Sequence, residues 1–262
     1  TSTGYDQVDR ETLDYAARHG VTICNIPAYG TPAVAQHTFA LLLELCNQVG
    51  HYDRAVKAGR WGESGDFCLW DRPMAELWGK TMGIVGLGSI GQAVAAIAHG
   101  FGMKLLADEQ HKKPCAVPVE FVPREELFAR ADVISLHCPL FPENREMINK
   151  DAIAKMKDGV LLVNTSRGPL ICEDDLLEAV NQGKVAGAAL DVVEFEPIHE
   201  KNYRLFDSGR IVVTPHAAFS SDASSAELLA KVAETACSVL TGDLSRTVMN
   251  RIVNRKQLLG EE

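Results

Sequence analysis

Four things are missing from this sequence, and each absence removes a class of function. No apolar run reaches the roughly 18 residues needed to cross a bilayer. No Lys/Arg cluster occurs, and the formal net charge is −9. That balance argues against nucleic acid or an anionic membrane as a partner. The seven cysteines contain no C-x-x-C pair. Cys24, Cys46 and Cys138 sit in apolar runs and read as reduced, mostly buried thiols of a cytosolic protein. None has a paired base nearby, so no catalytic cysteine is expected. No repeat or low-complexity segment is present. The chain also has no initial Met and opens on "TSTGYDQVD". That stretch reads as a strand end running into a helix cap, so the true N-terminus is expected upstream.

What remains is ordinary. The 262 residues are 46% hydrophobic and 23% charged, as in a soluble globular protein of one large or two medium domains. "VDRETLDYAARHG" predicts a helix with Gly20 as C-cap, followed by a strand, "VTICNI". From Pro32 the pattern predicts one long helix, "PAVAQHTFALLLELCNQVGHYDRAVKAG". Residues 60–78 are less regular.

From Lys80 short apolar strands alternate with helical stretches. "TMGIVGLG", "MKLLA", "DVISLHC", "VLLVN", "VAGAALDV" and "RIVVTPH" read as strands. Between them "SIGQAVAAIAHGF", "REELFARA", "INKDAIAKMKDG" and "EDDLLEAVNQG" read as helices. This alternation predicts βαβ units and a parallel sheet buried on both faces. A last helix is expected from about Asp222 to Leu240.

"GLGSIG", Gly86 to Gly91, has the G-x-G-x-x-G spacing. It follows a strand and opens a helix, the context that a dinucleotide fingerprint requires. Gly86 would allow the tight turn, Gly88 a close backbone approach to a pyrophosphate, and Gly91 the packing of helix on strand. The amides of Ser89 and Ile90 begin a helix N-terminus, which favours an anion. Further on, "LLADEQ" places Asp108 and Glu109 at a strand end. An acid there hydrogen-bonds ribose hydroxyls and repels a 2′-phosphate. With no arginine just after them, the expected cofactor is NAD.

Three polar residues stand at strand ends on one expected edge. Arg167 follows "VLLVN", Glu196 lies in "DVVEFEP", with Glu194 as its rival, and His216 follows "RIVVTP". A guanidinium at the end of a buried strand is costly unless an anion meets it. In open α/β sheets ligands bind outside the carboxyl ends of the strands. The set suits hydride transfer to a carbonyl beside a carboxylate. The arginine would hold the carboxylate. The histidine would protonate the forming alkoxide, and the glutamate would keep it protonated.

The chain resembles the D-isomer-specific 2-hydroxyacid dehydrogenases over essentially its whole length. The resemblance rests on "TGYDQVD", "AVAQHTFALLL", "GKTMGIVGLGSIGQAVA", "DVISLHCPL", "MINKDAIAKMKDGVLLVNTSRGPL", "GKVAGAALDV", "EP" and "TPH". "NIPAYGTPAVAQHTFALLLEL", "HCPLFPEN" and "DVVEFEPI" look closest to the glycerate dehydrogenase (hydroxypyruvate reductase) branch. It implies catalytic roles for Arg167, Glu196 and His216, and selects Glu109 over Asp108 at the ribose. It also implies cofactor contacts at Thr3, Ser89, Ile90, Cys138, Thr165, Ser166, Asp191 and Ala218, and names no metal ligand.

The fold it implies is a Rossmann-type doubly wound parallel sheet over 29–216, carrying the linker and dimer helix. An incomplete flavodoxin-like substrate domain, 1–28 and 217–262, accompanies it. A homodimer in the cytoplasm is expected. Three departures stand out. "DE" replaces the usual tyrosine–aspartate at the ribose strand. "AAFSSDASS" follows the histidine. A segment that precedes "TGYD" in the family is absent, which would leave an apolar sheet edge open. The expected reaction is hydroxypyruvate to D-glycerate. Alternatives are the same chemistry on D-lactate, glyoxylate or 3-phosphoglycerate, or a non-catalytic NAD-sensing protein of the corepressor type.

Overall fold

The computed structural model describes residues 10–19, 21, 23–24, 26, 28–108, 112, 114–200 and 203–241. The first helix, α1, runs Arg10–Arg18. Of the strand expected at 21–26, only an isolated bridge at Ile23 appears among the described residues. The long helix expected from Pro32 is two helices, α2 (Thr31–Asn47) and α3 (Val49–Lys57). The break is at Gln48, which is left-handed at φ 51°, ψ 42°. The Glu44 carboxylate accepts the Gly50 amide at 3.2 Å across the break. A short α4, Arg60–Glu63, follows.

The remaining elements follow the expected alternation, with β3 as an addition. They are β1 (Thr81–Val85), α5 (Ser89–Gly100), β2 (Lys104–Asp108), β3 (Glu120–Val122), α6 (Arg124–Arg130), β4 (Val133–Leu136), α7 (Lys150–Ala154), β5 (Val160–Asn164), α8 (Glu173–Gln182), β6 (Val185–Leu190), β7 (Ile211–Val213) and α9 (Asp222–Thr241). β3 has three residues and sits at an edge, too short for its alternation to show in the sequence. The seven strands form one sheet in the order β3-β2-β1-β4-β5-β6-β7, every pair parallel. The order reverses between β1 and β4, the switch point where ligands bind in such sheets.

The period of two along each strand divides the core in two. Met82 and Ile84 join Leu105, Ala107, Val133, Val163 and Ala189 beneath α2 and α5. Val85, Leu106, Ile134, Leu136, Leu162 and Leu190 pack beneath α6, α7 and α8. Leu127 of α6 is fully buried, its side chain where a Cβ on Gly83 would reach 2.4 Å from it. Burial of such a side chain contributes roughly 1.5–3 kcal/mol. No described helix is long and apolar enough to cross a membrane. No disulfide joins the described cysteines, and only Cys46 is fully buried. Cys24 and Cys138 are half-buried and Cys237 is exposed, because it lies on α9, which leaves Leu229 and Leu240 open to solvent.

Candidate functional site

The site lies along the carboxyl edge of the sheet, in two groups. The first surrounds the glycine loop. Gly86 adopts φ +99°, and a Cβ there would strike the Cys138 amide at 2.6 Å. The turn therefore lies flush against the end of β4. A Cβ on Gly91 would fall 2.1 Å from the Gly86 carbonyl oxygen, so α5 meets β1 only as glycine. Gly88 differs, because a Cβ there would meet nothing within 4 Å. It caps α5, and no side chain bonds to the first amides of that helix. Open space at Gly88 and an uncapped helix start suit an approaching pyrophosphate.

Other residues expected at the cofactor gather here. Ser89 is exposed and Ile90 half-buried. The Ser166 hydroxyl donates to the Cys138 carbonyl at 2.5 Å, and the Thr165 hydroxyl pairs with Thr38 of α2 at 3.0 Å. Burial pushes the Cys138 thiol up to about 11, which makes it a poor nucleophile. His137, beside it, donates or accepts through Nε2 to Ser135 at 2.8 Å. Its Nδ1 is buried with no hydrogen-bond partner, and burial drives its pKa down to about 3.

Asp108 ends β2 and is buried, so it is not a solvated loop acid. Its Oδ2 accepts Arg124 Nε of α6 at 2.7 Å. The chain after β2 has no arginine, yet the fold returns one to that point from sixteen residues on. Only the strand–helix alternation that brings α6 back beside β2 could have signalled it. Glu109 and Thr3, the other residues expected at the cofactor, lie outside the described residues.

The second group surrounds His216. Its Nδ1 lies 2.6 Å from Glu196 Oε2, while Glu196 Oε1 accepts the Val193 amide at 2.9 Å. The rival acid Glu194 instead pairs with Arg204 at 2.7 Å. Burial alone would raise the Glu196 carboxyl. The bonds from His216 and the Val193 amide, with Arg167 near, outweigh it and hold the carboxyl below its ordinary value. Conversely, the hydrogen bond from Glu196 raises His216 above its ordinary 6.5, against burial, with Asp191 adding to the rise and Arg167 opposing it.

Asp191 builds the turn that aims the imidazole. His216 is left-handed at φ 51°, a conformation costly for a non-glycine residue. Its amide donates to the Asp191 carbonyl at 2.8 Å. Asp191 Oδ1 accepts the Thr214 hydroxyl at 2.6 Å and the Ala217 amide at 2.9 Å, and Oδ2 accepts the Ala218 amide at 2.9 Å. The carboxylate of Asp191 and the amide of Ala218, both expected at the cofactor, thus bond to each other. His37 of α2 reaches the same carboxylate at 3.4 Å.

Arg167 is the third residue after β5. Asn164, fully buried at the end of that strand, shapes its loop: Nδ2 donates to the Arg167 carbonyl at 2.8 Å and Oδ1 accepts the Ser166 amide at 3.0 Å. An asparagine closing an otherwise apolar strand was the signal for this residue. Gly168 then lies so close to Val193 that a Cβ would fall 1.8 Å from its carbonyl oxygen. That contact brings the Arg167 loop onto the loop carrying Glu196. A cavity of about 480 Å³ opens beside the pair, lined by Glu196, His216, Ile198, Phe206 and Val213 among others. No group of three His, Cys, Asp or Glu side chains is placed to hold a metal among the described residues.

Comparison with known proteins agrees with this geometry. Residues 39–218 match the family described as D-isomer specific 2-hydroxyacid dehydrogenase, NAD binding domain. The chain is 48% identical over 230 residues to a hydroxypyruvate reductase of Blautia hydrogenotrophica, covering 87% of this chain and 70% of that one. It is 36% identical to a glycerate dehydrogenase of Methylorubrum extorquens, covering 84% and 68%. Among solved structures, a D-lactate dehydrogenase of Aquifex aeolicus complexed with NAD and lactic acid superposes with TM-score 0.81 at 32% identity. That match covers 93% of this chain and 76% of the other.

Proposed function

The chain belongs to the D-isomer specific 2-hydroxyacid dehydrogenases, NAD-dependent oxidoreductases, and we propose that it reduces hydroxypyruvate to D-glycerate through Arg167, Glu196 and His216. The observation that carries this reading is the 2.6 Å pair of His216 Nδ1 and Glu196, with the Arg167 loop held against the Glu196 loop where Gly168 meets Val193.

Gly86, Gly88, Gly91 and the α5 amides of Ser89 and Ile90 would hold the pyrophosphate of NAD. Thr165, Ser166, Cys138, Asp191 and Ala218 would line its path, and Asp108 or Glu109 its ribose. Bound as NADH, that cofactor supplies the hydride. The chain's own residues do the rest. Arg167 grips the substrate carboxylate and orients the adjoining carbonyl through its fork of donors. Because Glu196 engages Nδ1, His216 presents Nε2 to the substrate. It gives that proton to the carbonyl oxygen as the alcohol forms, a step worth roughly 10²–10⁴ in rate. Glu196 keeps the imidazole charged until then, and the reverse reaction returns the proton to Nε2.

We place the nucleotide domain at 29–216 and assign 1–28 and 217–262 to the substrate domain. The active form is a homodimer whose face includes the segment around α4. Phe67, Trp70 and Trp78 there are 85%, 77% and 74% exposed, an apolar cover that a second copy would bury. Seven cysteines without a disulfide suit a reducing compartment, here the cytoplasm.

The test is NADH oxidation with hydroxypyruvate, pyruvate, glyoxylate and 3-phosphohydroxypyruvate, for this chain and for Arg167→Ala. Highest kcat/KM on hydroxypyruvate, collapsing in the variant, is the expected result. A different preferred keto acid would reassign the substrate. NADH binding with no turnover on any of them would refute the catalytic reading.

A further inference from the structure

Three acids open α8 in "EDD", as acids commonly do at a helix start. Two of them, Asp174 and Asp175, reach solvent, but Glu173 is 2% exposed. It shares a helix face with Leu176 and Val180, both fully buried. A carboxylate there is costly unless donors surround it, and four do. Oε1 accepts the Glu194 amide at 2.7 Å. Oε2 accepts the Tyr203 hydroxyl and the Arg204 guanidinium, Nε at 3.2 Å and Nη2 at 3.1 Å. Arg204 also reaches Asp174 at 3.0 Å and the Glu194 carboxylate at 2.7 Å, where Arg145 adds a weaker contact at 3.4 Å.

These donors come from the two ends of one loop. Glu194 lies two residues before Glu196. Tyr203 and Arg204 begin the short 3-10 helix, Arg204–Asp207, that leads into β7 and so to His216. Between them the loop carries Glu196 to the imidazole. Its other side is fixed by Gly168 against Val193. We propose that Glu173 is a positioning residue: it fixes Glu196 against His216 by tying together both ends of the loop that carries Glu196. The inference rests on His216 being the proton donor.

Among the described residues, the charged groups facing His216 come from three elements. The β6–β7 loop presents Glu196 and Asp191, the loop after β5 presents Arg167, and His37 of α2 lies behind Asp191. Glu173 touches none of the reacting atoms and acts on His216 only through the placing of Glu196. A small displacement of a catalytic partner is enough to lower the rate severely.

The experiment compares the pH profiles of kcat and kcat/KM for hydroxypyruvate reduction in the full chain, Glu173→Gln and Tyr203→Phe. NADH affinity and Tm are measured alongside. Glutamine keeps the volume but presents an amide where only an acceptor works. The expected result is a kcat about tenfold lower in Glu173→Gln, an alkaline midpoint moved to lower pH, and unchanged NADH affinity. Tyr203→Phe removes one donor and moves the same quantities by less. Profiles that superpose on the parent, even with a lower Tm, would overturn the proposal and leave Glu173 a structural group. If Glu173→Gln does not fold, Tyr203→Phe decides alone. Parent activity that survives in His216→Ala is a separate outcome, which removes the proton-donor reading and this inference with it.

Discussion

The two halves of the site are built from different materials. At the β1–α5 junction the surfaces are backbone. Gly86 and Gly91 allow main-chain contacts that a Cβ would block, and Gly88 leaves an open approach. Around His216 the surfaces are side chains. Asp191, Glu196 and Glu173 tie loops together with hydrogen bonds from distant positions, and Asn164 shapes the Arg167 loop locally. Binding an invariant phosphate needs only amides and space. Moving a proton needs one group whose acidity is set by its neighbours. The difference teaches that binding and chemistry should be separable by substitution.

The largest expected effect breaks the backbone half. Gly91→Ala puts a methyl group against the Gly86 carbonyl at 2.1 Å, and neither helix nor strand can retreat. It should destabilise by roughly 3 kcal/mol, read by urea unfolding, and abolish NADH binding. Next comes Asp191→Asn in the side-chain half. One acceptor oxygen becomes a donor facing the Thr214 hydroxyl or a loop amide. The expected loss is about 1–3 kcal/mol, with a fall in kcat as the left-handed His216 relaxes.

Glu196→Gln sharpens the comparison through pH. Glu196 raises His216 above its ordinary 6.5. Reduction uses the protonated imidazole, so the parent rate should hold at low pH and fall as pH rises through that elevated value. The imidazole's contribution to stability has the same sign, present below its unfolded value and lost as pH rises past the folded one, while that of the Glu196 carboxylate is lost as pH falls through its lowered value. With a neutral partner the midpoint should return toward 6.5, measured as kcat/KM against pH. A profile unmoved by the substitution would separate Glu196 from the proton. The smallest effect belongs to neither half. Lys57 and Asp53 form an exposed i,i+4 pair, and Lys57→Ala should change stability by no more than about 0.5 kcal/mol.

The contrast also explains what could be read from the sequence. The parallel sheet, the glycine loop and the three residues at strand ends were all legible, because each depends on a local pattern or on the alternation of elements. The break at Gln48 was not, since a left-handed residue other than glycine leaves no mark in an apolar periodicity. β3 was too short for alternation to register. The pairing of Asp108 with Arg124 joins β2 to α6, and the Glu173 cluster joins α8 to the β6–β7 loop. Such contacts follow from topology and not from spacing. The burial of Glu173 did leave a trace, since it falls in register with Leu176 and Val180, but three adjacent acids disguised it as an ordinary helix start.

The most direct measurement sets the two halves against each other: NADH affinity and hydroxypyruvate turnover, both determined for Gly88→Ala and His216→Ala. Gly88 faces open space, so its alanine variant should remain folded and lose NADH affinity. His216→Ala should keep NADH affinity and lose roughly 10²–10⁴ in kcat. Turnover that persists in His216→Ala, or affinity and turnover lost together in both variants, would contradict the account.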